Sequence, residues 1–132
     1  MVGGSYGAVI VASLVAMLIG WVWYMPGVFG SRWMRLRGVK VQGDMKMPAS
    51  DLFVEFLSTL VTVFVMYVLI VAFGAFNARG ALQLSLMVWL GFYVTALISE
   101  VVWEKKHFGV FLINAGQRLV TLIVIALILA LW

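Results

Sequence analysis

The residues able to do chemistry are few, and they sit inside greasy sequence. Glu100 lies near the end of one apolar run, and the charged bend Glu104-Lys105-Lys106-His107 follows it. In the next apolar run Asn114, Gln117, Arg118 and Thr121 fall at i, i+3, i+4 and i+7, which is one face of a helix. A second stripe, Asp51, Glu55, Ser58, Thr59 and Thr62, marks the first half of an earlier run. A bare charge in hydrocarbon costs at least ~2.5 kcal/mol even on the lenient insertion scale, so each such group should find a partner. Arg118 stands about nine residues into its run, roughly 13 Å deep at 1.5 Å per residue. Its long side chain can snorkel back to the level of Glu55 and Glu100. The expectation is an intramembrane cluster of Glu55, Glu100, Asn114, Gln117 and Arg118, with Glu100 the first partner for Arg118. It would serve either as a proton or anion path or, the weightier reading, as a pair that fixes helix register.

Metal and covalent chemistry have little footing. Glu104 and His107 share the i, i+3 spacing that di-iron bundles use, and Glu100 is one turn earlier. Yet the chain has one histidine, and this pair sits on a charged bend open to water, so it is a weak metal candidate. There is no Gly-rich phosphate loop, no serine with a histidine in a known local motif, and no cysteine. No cofactor is expected, and the sequence leans away from an enzyme.

The elements that must hold these residues follow from composition. Of 132 residues, 65% are hydrophobic and 11% charged, too apolar a mix to wet its own surface. A bilayer is the natural solvent. Four apolar stretches, about 4–25, 51–76, 81–103 and 110–132, are each long enough to cross the hydrocarbon. The first lacks a charged n-region and a small-residue cleavage site, so it reads as a retained span. Gly4, Ala8, Ala12, Ala16 and Gly20 recur every fourth position along it, a smooth ridge against which another backbone can pack. Trp21, Trp23, Tyr24, Trp33 and Trp103 read as an interfacial belt. Pro26-Gly27 should break the helix, and residues 29–38 should form a short amphipathic helix on the membrane surface. Ser50 or Asp51 should cap span two, and the short turn at residues 77–80 should make spans two and three antiparallel neighbours.

The stretch from Trp21 to Trp33 (WVWYMPGVFGSRW) resembles the signature of a bacterial membrane-protein family, domain of unknown function 1761. So do Trp89 to Phe92 (WLGF), and Trp103 followed by Phe111 to Gly116 (FLINAG). A terminal apolar run ending in tryptophan is similar too. The resemblance implies a small multi-span membrane protein and brings no activity with it.

The resulting expectation is an all-α, polytopic integral membrane protein, a single four-helix transmembrane bundle spanning residues 1–132. A bacterial inner membrane is its expected location. Its partners would be membrane lipids, with anionic headgroups at the basic loop, and a second copy or other membrane proteins; nucleic acid is not among them, because the basic residues flank spans. The function is read as a non-catalytic membrane subunit or scaffold, with a small transporter or channel lined by the Glu/Arg/Asn cluster as the alternative. Orientation comes from charge. Loop 26–50 holds Arg32, Arg35, Arg37, Lys40 and Lys46, the last bend holds Lys105 and Lys106, and the other side has Arg79 alone. That bias puts the loop in the cytoplasm and both termini outside. A reporter fused after Trp132 should therefore read as extracytoplasmic, and a label near Gly43 should be protected from outside reagents; a cytoplasmic carboxyl terminus would reverse the assignment.

Overall fold

The computed structural model describes residues 5–38 and 48–132, and among these every regular element is helical. Gly4, Lys40, Asp44 and Lys46 lie outside the described residues. The helices are α1 (Ser5–Trp23), α2 (Ser31–Leu36), α3 (Ala49–Phe73), α4 (Ala78–Val88), α5 (Thr95–Trp103) and α6 (Phe108–Leu131). A π turn, Pro26–Gly30, leads into α2, and a second, Trp89–Val94, joins α4 to α5 in one continuous helical path. Four stretches are long and apolar enough to cross a membrane: Tyr6–Trp23, Ala49–Phe73, Ala78–Trp103 and Phe108–Leu131. They lie within a few residues of the spans expected from composition.

Local chemistry sets the ends. Gly74 closes α3 at φ +64°, in the left-handed region that glycine occupies without strain. Asn77 caps α4 by accepting a hydrogen bond from the Gly80 N–H at 2.7 Å. His107 caps α6, its Nδ1 accepting from the Gly109 N–H at 2.9 Å. The cap expected at Ser50 or Asp51 is absent. The helix starts earlier, at Ala49, and Pro48 precedes it with no side-chain bond. Pro26 does end α1, but the chain then coils onward, because proline in a first turn has no needed N–H to lose.

Helix α6 is the hub. It packs along α1 on one side and α4 on another, while α3 leans across α1 and α6. The ridge of α1 is used inside the chain: Ala8, Ala12 and Ala16 are buried in one core with Met66 and Ile70 of α3 and Leu122, Ile125 and Leu129 of α6. Spans two and three are joined by a tight link but are not packed neighbours, and α3 makes no extended contact with α4 or α5. Each packs on α6 instead. Their splay leaves an apolar cleft of about 500 Å³ at the end away from the basic segments, lined by Leu69, Phe73, Leu84, Met87 and Phe92.

This packing predicts an asymmetry on α1. Ala12→Leu or Ala16→Leu forces extra methylenes into a closed contact and should cost about 1–3 kcal/mol. Val11→Leu, on an exposed face, should stay within about 0.5 kcal/mol of wild type. Thermal unfolding in one detergent compares them, and equal losses would contradict the packing.

Candidate functional site

Four aromatic side chains close around one short stretch of α6. Two of them enter from the end of α1. Trp23 Nε1 donates to the Ile113 carbonyl at 3.0 Å, and the Tyr24 hydroxyl donates to Asn114 Oδ1 at 2.6 Å. The first π turn folds back to support them: the Phe29 ring lies tilted against Trp23 with 4.7 Å between centroids, and Trp33 of α2 meets Tyr24 edge-on at 5.2 Å. That return needs glycine at position 30, where an added Cβ would lie 2.1 Å from the Tyr24 carbonyl oxygen. The Trp23 ring lies over Gly116, where a Cβ would come within 3.2 Å of it.

The other two come from the second π turn. Trp89 Nε1 donates to the Ala115 carbonyl at 2.8 Å, and the Tyr93 ring lies 5.7 Å from the Arg118 guanidinium carbon. A π turn adds a residue to the helix, and such turns are frequent at functional sites. The contact of Arg118 with Tyr93 is of the cation–π kind, worth about 0.5–1 kcal/mol where exposed. One turn deeper, buried Ser85 bonds its own helix at Ala81 and reaches the Leu122 carbonyl at 3.2 Å. Together these bonds fix the rotation of α6 between α1 and α4.

The residues expected to form one cluster are dispersed around this collar. Glu100 does not meet Arg118; it pairs with Lys106 at 3.2 Å across the bend. The cause is position, for Glu100 lies in the last turn of α5, a helix with no buried residue. Arg118 is exposed on α6 and has no ion-pair partner among the described residues. Gln117 turns the other way and is buried beside Gly20, donating to Thr121 Oγ1 at 2.9 Å. Glu55 is exposed on α3, and the Tyr24 hydroxyl lies within the electrostatic reach of both Glu55 and Arg118. Trp21 and Trp103 face outward, 73% and 81% exposed, whereas Trp23, Tyr24 and Trp33 are partly buried. So only part of the expected belt points to the surroundings. Arg32, Arg35 and Arg37 of the α2 segment are exposed, and Arg37 covers the Trp33 ring at 4.5 Å. Glu104 and His107 gather no third acidic, histidine or cysteine ligand among the described residues, and His107 Nδ1 is occupied by its cap.

Sequence reasoning left Trp89, Tyr93 and Ser85 out of the site. A signal was present: an indole in the middle of an apolar stretch long enough to cross a membrane calls for an acceptor inside the protein.

The chain belongs to the family described as Protein of unknown function (DUF1761), whose model matches residues 7–130, nearly its whole length. No curated protein and no solved structure matches it. The three segments that carry the family resemblance, 21–33, 89–92 and 111–116, are distant in sequence, and all three contribute to the collar.

The collar's bonds can be removed singly. Interhelical hydrogen bonds in membranes average about 0.6 kcal/mol and reach about 1.7. Trp23→Phe and Trp89→Phe should each lose about that much in a thermal unfolding series, and Trp21→Phe should lose almost nothing. Equal behaviour of all three would contradict the assignment.

Proposed function

We propose that this chain is a small, non-catalytic membrane subunit, multi-pass in a bacterial inner membrane with its basic segments in the cytoplasm. It works by binding: the collar holds α6 still and presents Arg118 to a negatively charged group from outside the chain. The observation that carries this reading is the guanidinium itself. Arg118 is the eleventh residue of α6, so about 15 Å from its start. It rests on the Tyr93 ring and has no carboxylate within reach among the described residues. A charge so placed in a bilayer costs enough that a counter-charge should be recruited.

The conducting alternative needs polar groups through the full thickness, and the arrangement of α6 favours binding over passage. Its polar side chains stop at Thr121, and Leu122, Ile125, Ala126 and Leu129 beyond are buried in the common core. Assembly through the small-residue ridge also loses support, because Ala8, Ala12 and Ala16 are covered within the chain.

Phe111 lies two turns before Arg118 on the same face of α6. A benzoylphenylalanine at Phe111, photolysed in membranes, should give a covalent adduct whose yield falls severalfold with Arg118→Met and recovers with Arg118→Lys. An adduct pattern indifferent to Arg118 would overturn the reading.

A further inference from the structure

We infer that the group facing Arg118 is a phospholipid headgroup bearing both a phosphate and a primary amine, with its phosphate on Arg118 and Asn114 and its ammonium on Glu55. This rests on the binding reading above and names the ligand.

Helix register places the two charges at one depth. Helices α1 and α3 run antiparallel, and the Thr59 hydroxyl meets Met17 Sδ at 3.4 Å. Glu55 is four residues nearer the basic end than Thr59, about 6 Å along the helix, and on the same stripe. Gly20 is three residues nearer that end than Met17, about 4.5 Å. Gly20 in turn adjoins Gln117, the residue before Arg118, with 3.5 Å between an added Cβ and Nε2. Glu55 and Arg118 are therefore level within a few Å, on different helices, and both within electrostatic reach of the Tyr24 hydroxyl. They form no ion pair with each other.

The surroundings of Glu55 are apolar and open. At the basic end α3 stands away from α5, and Leu52, Phe53, Val54 and Leu57 are exposed there. No residue of α5 is buried. Apolar side chains thus stand exposed beside Glu55, where acyl chains would lie.

The donors suit a phosphate. Tyr24 occupies Asn114 Oδ1, which leaves the two amide hydrogens of Asn114 without an acceptor among the described residues. Asn114 and Arg118 are one turn apart on the same face, and the guanidinium adds a planar fork of N–H groups that fits phosphate oxygens. A simple anion would satisfy this set but would leave Glu55 stranded and repelling it. A simple cation would do the reverse. A headgroup carrying both charges a few bonds apart neutralises both, and its primary ammonium has N–H donors for the carboxylate, which a trimethylammonium lacks.

The test uses the full-length protein in mild detergent, with native mass spectrometry reading retained lipid at matched acyl chains. Phosphatidylethanolamine should be retained about tenfold over phosphatidylcholine and phosphatidylglycerol, the ratio expected for one charge-assisted hydrogen bond. Glu55→Gln should erase that preference while phosphate lipids still bind, and Arg118→Met should weaken all three. Soluble phosphoethanolamine and inorganic phosphate should compete poorly, because they lack acyl chains to lie along the exposed apolar side chains of α3. Thermal unfolding of each variant confirms that it is folded. No headgroup preference, or one that survives Glu55→Gln, overturns the inference. So does equal competition by soluble phosphoethanolamine, or strong Glu55–Arg118 coupling in lipid-free detergent, which would mean that the two charges simply pair. The broader binding reading falls separately, if Arg118→Met leaves the Phe111 adduct unchanged.

Discussion

A helix in hydrocarbon has its backbone amides already bonded to its own carbonyls, and no water drives it against a neighbour. What remains to fix its rotation is close fit and a few bonds to the spare lone pairs of those carbonyls. In this chain both devices act on α6. The alanine ridge of α1 supplies the fit along its far half. Near the basic end, Trp23 and Trp89 reach the carbonyls of Ile113 and Ala115 from two different helices, and Tyr24 holds Asn114 between them. If either indole bond were lost, α6 could turn, and Arg118 would turn with it.

The two halves of the molecule accordingly do different work. In the half away from the basic segments Ala8, Ala12, Met66, Ile70, Ile125 and Leu129 form a packed core beside the apolar cleft, with polar groups such as Ser13 and Ser85 bonded to backbone carbonyls. The basic half is open, with α3 and α5 splayed around α6 and the charges on view.

Much of the fold was legible in the sequence, because four apolar runs separated by charged or glycine-containing breaks admit few other solutions. Spacing at every fourth position puts Ala8, Ala12 and Ala16 on one face of α1, and those three are buried. The site was legible only in its ingredients. Asn114, Gln117 and Arg118 look alike on a helical wheel, yet a difference of 100° per residue turns Gln117 inward to Gly20 and leaves Arg118 outside. Glu100 looked close enough in depth to reach Arg118, but Lys106 is nearer and free to fold back. The π turns were hidden, because nothing in WLGFYV separates a π from an α hydrogen-bond pattern. Their consequence, Trp89 and Tyr93 both facing α6, could not be read from a regular period.

The claim that most depends on geometry is that two indoles, one on each side, hold α6 by their N–H groups. Hydrogen exchange of the tryptophan side-chain N–H signals, followed by NMR with indole nitrogen-15 labelling in a bilayer mimetic, measures it directly. Trp23 and Trp89 should exchange far more slowly than Trp21 and Trp103, which face outward. Exchange of Trp23 and Trp89 as fast as that of Trp21 and Trp103 would contradict the collar and leave the orientation of Arg118 without a cause.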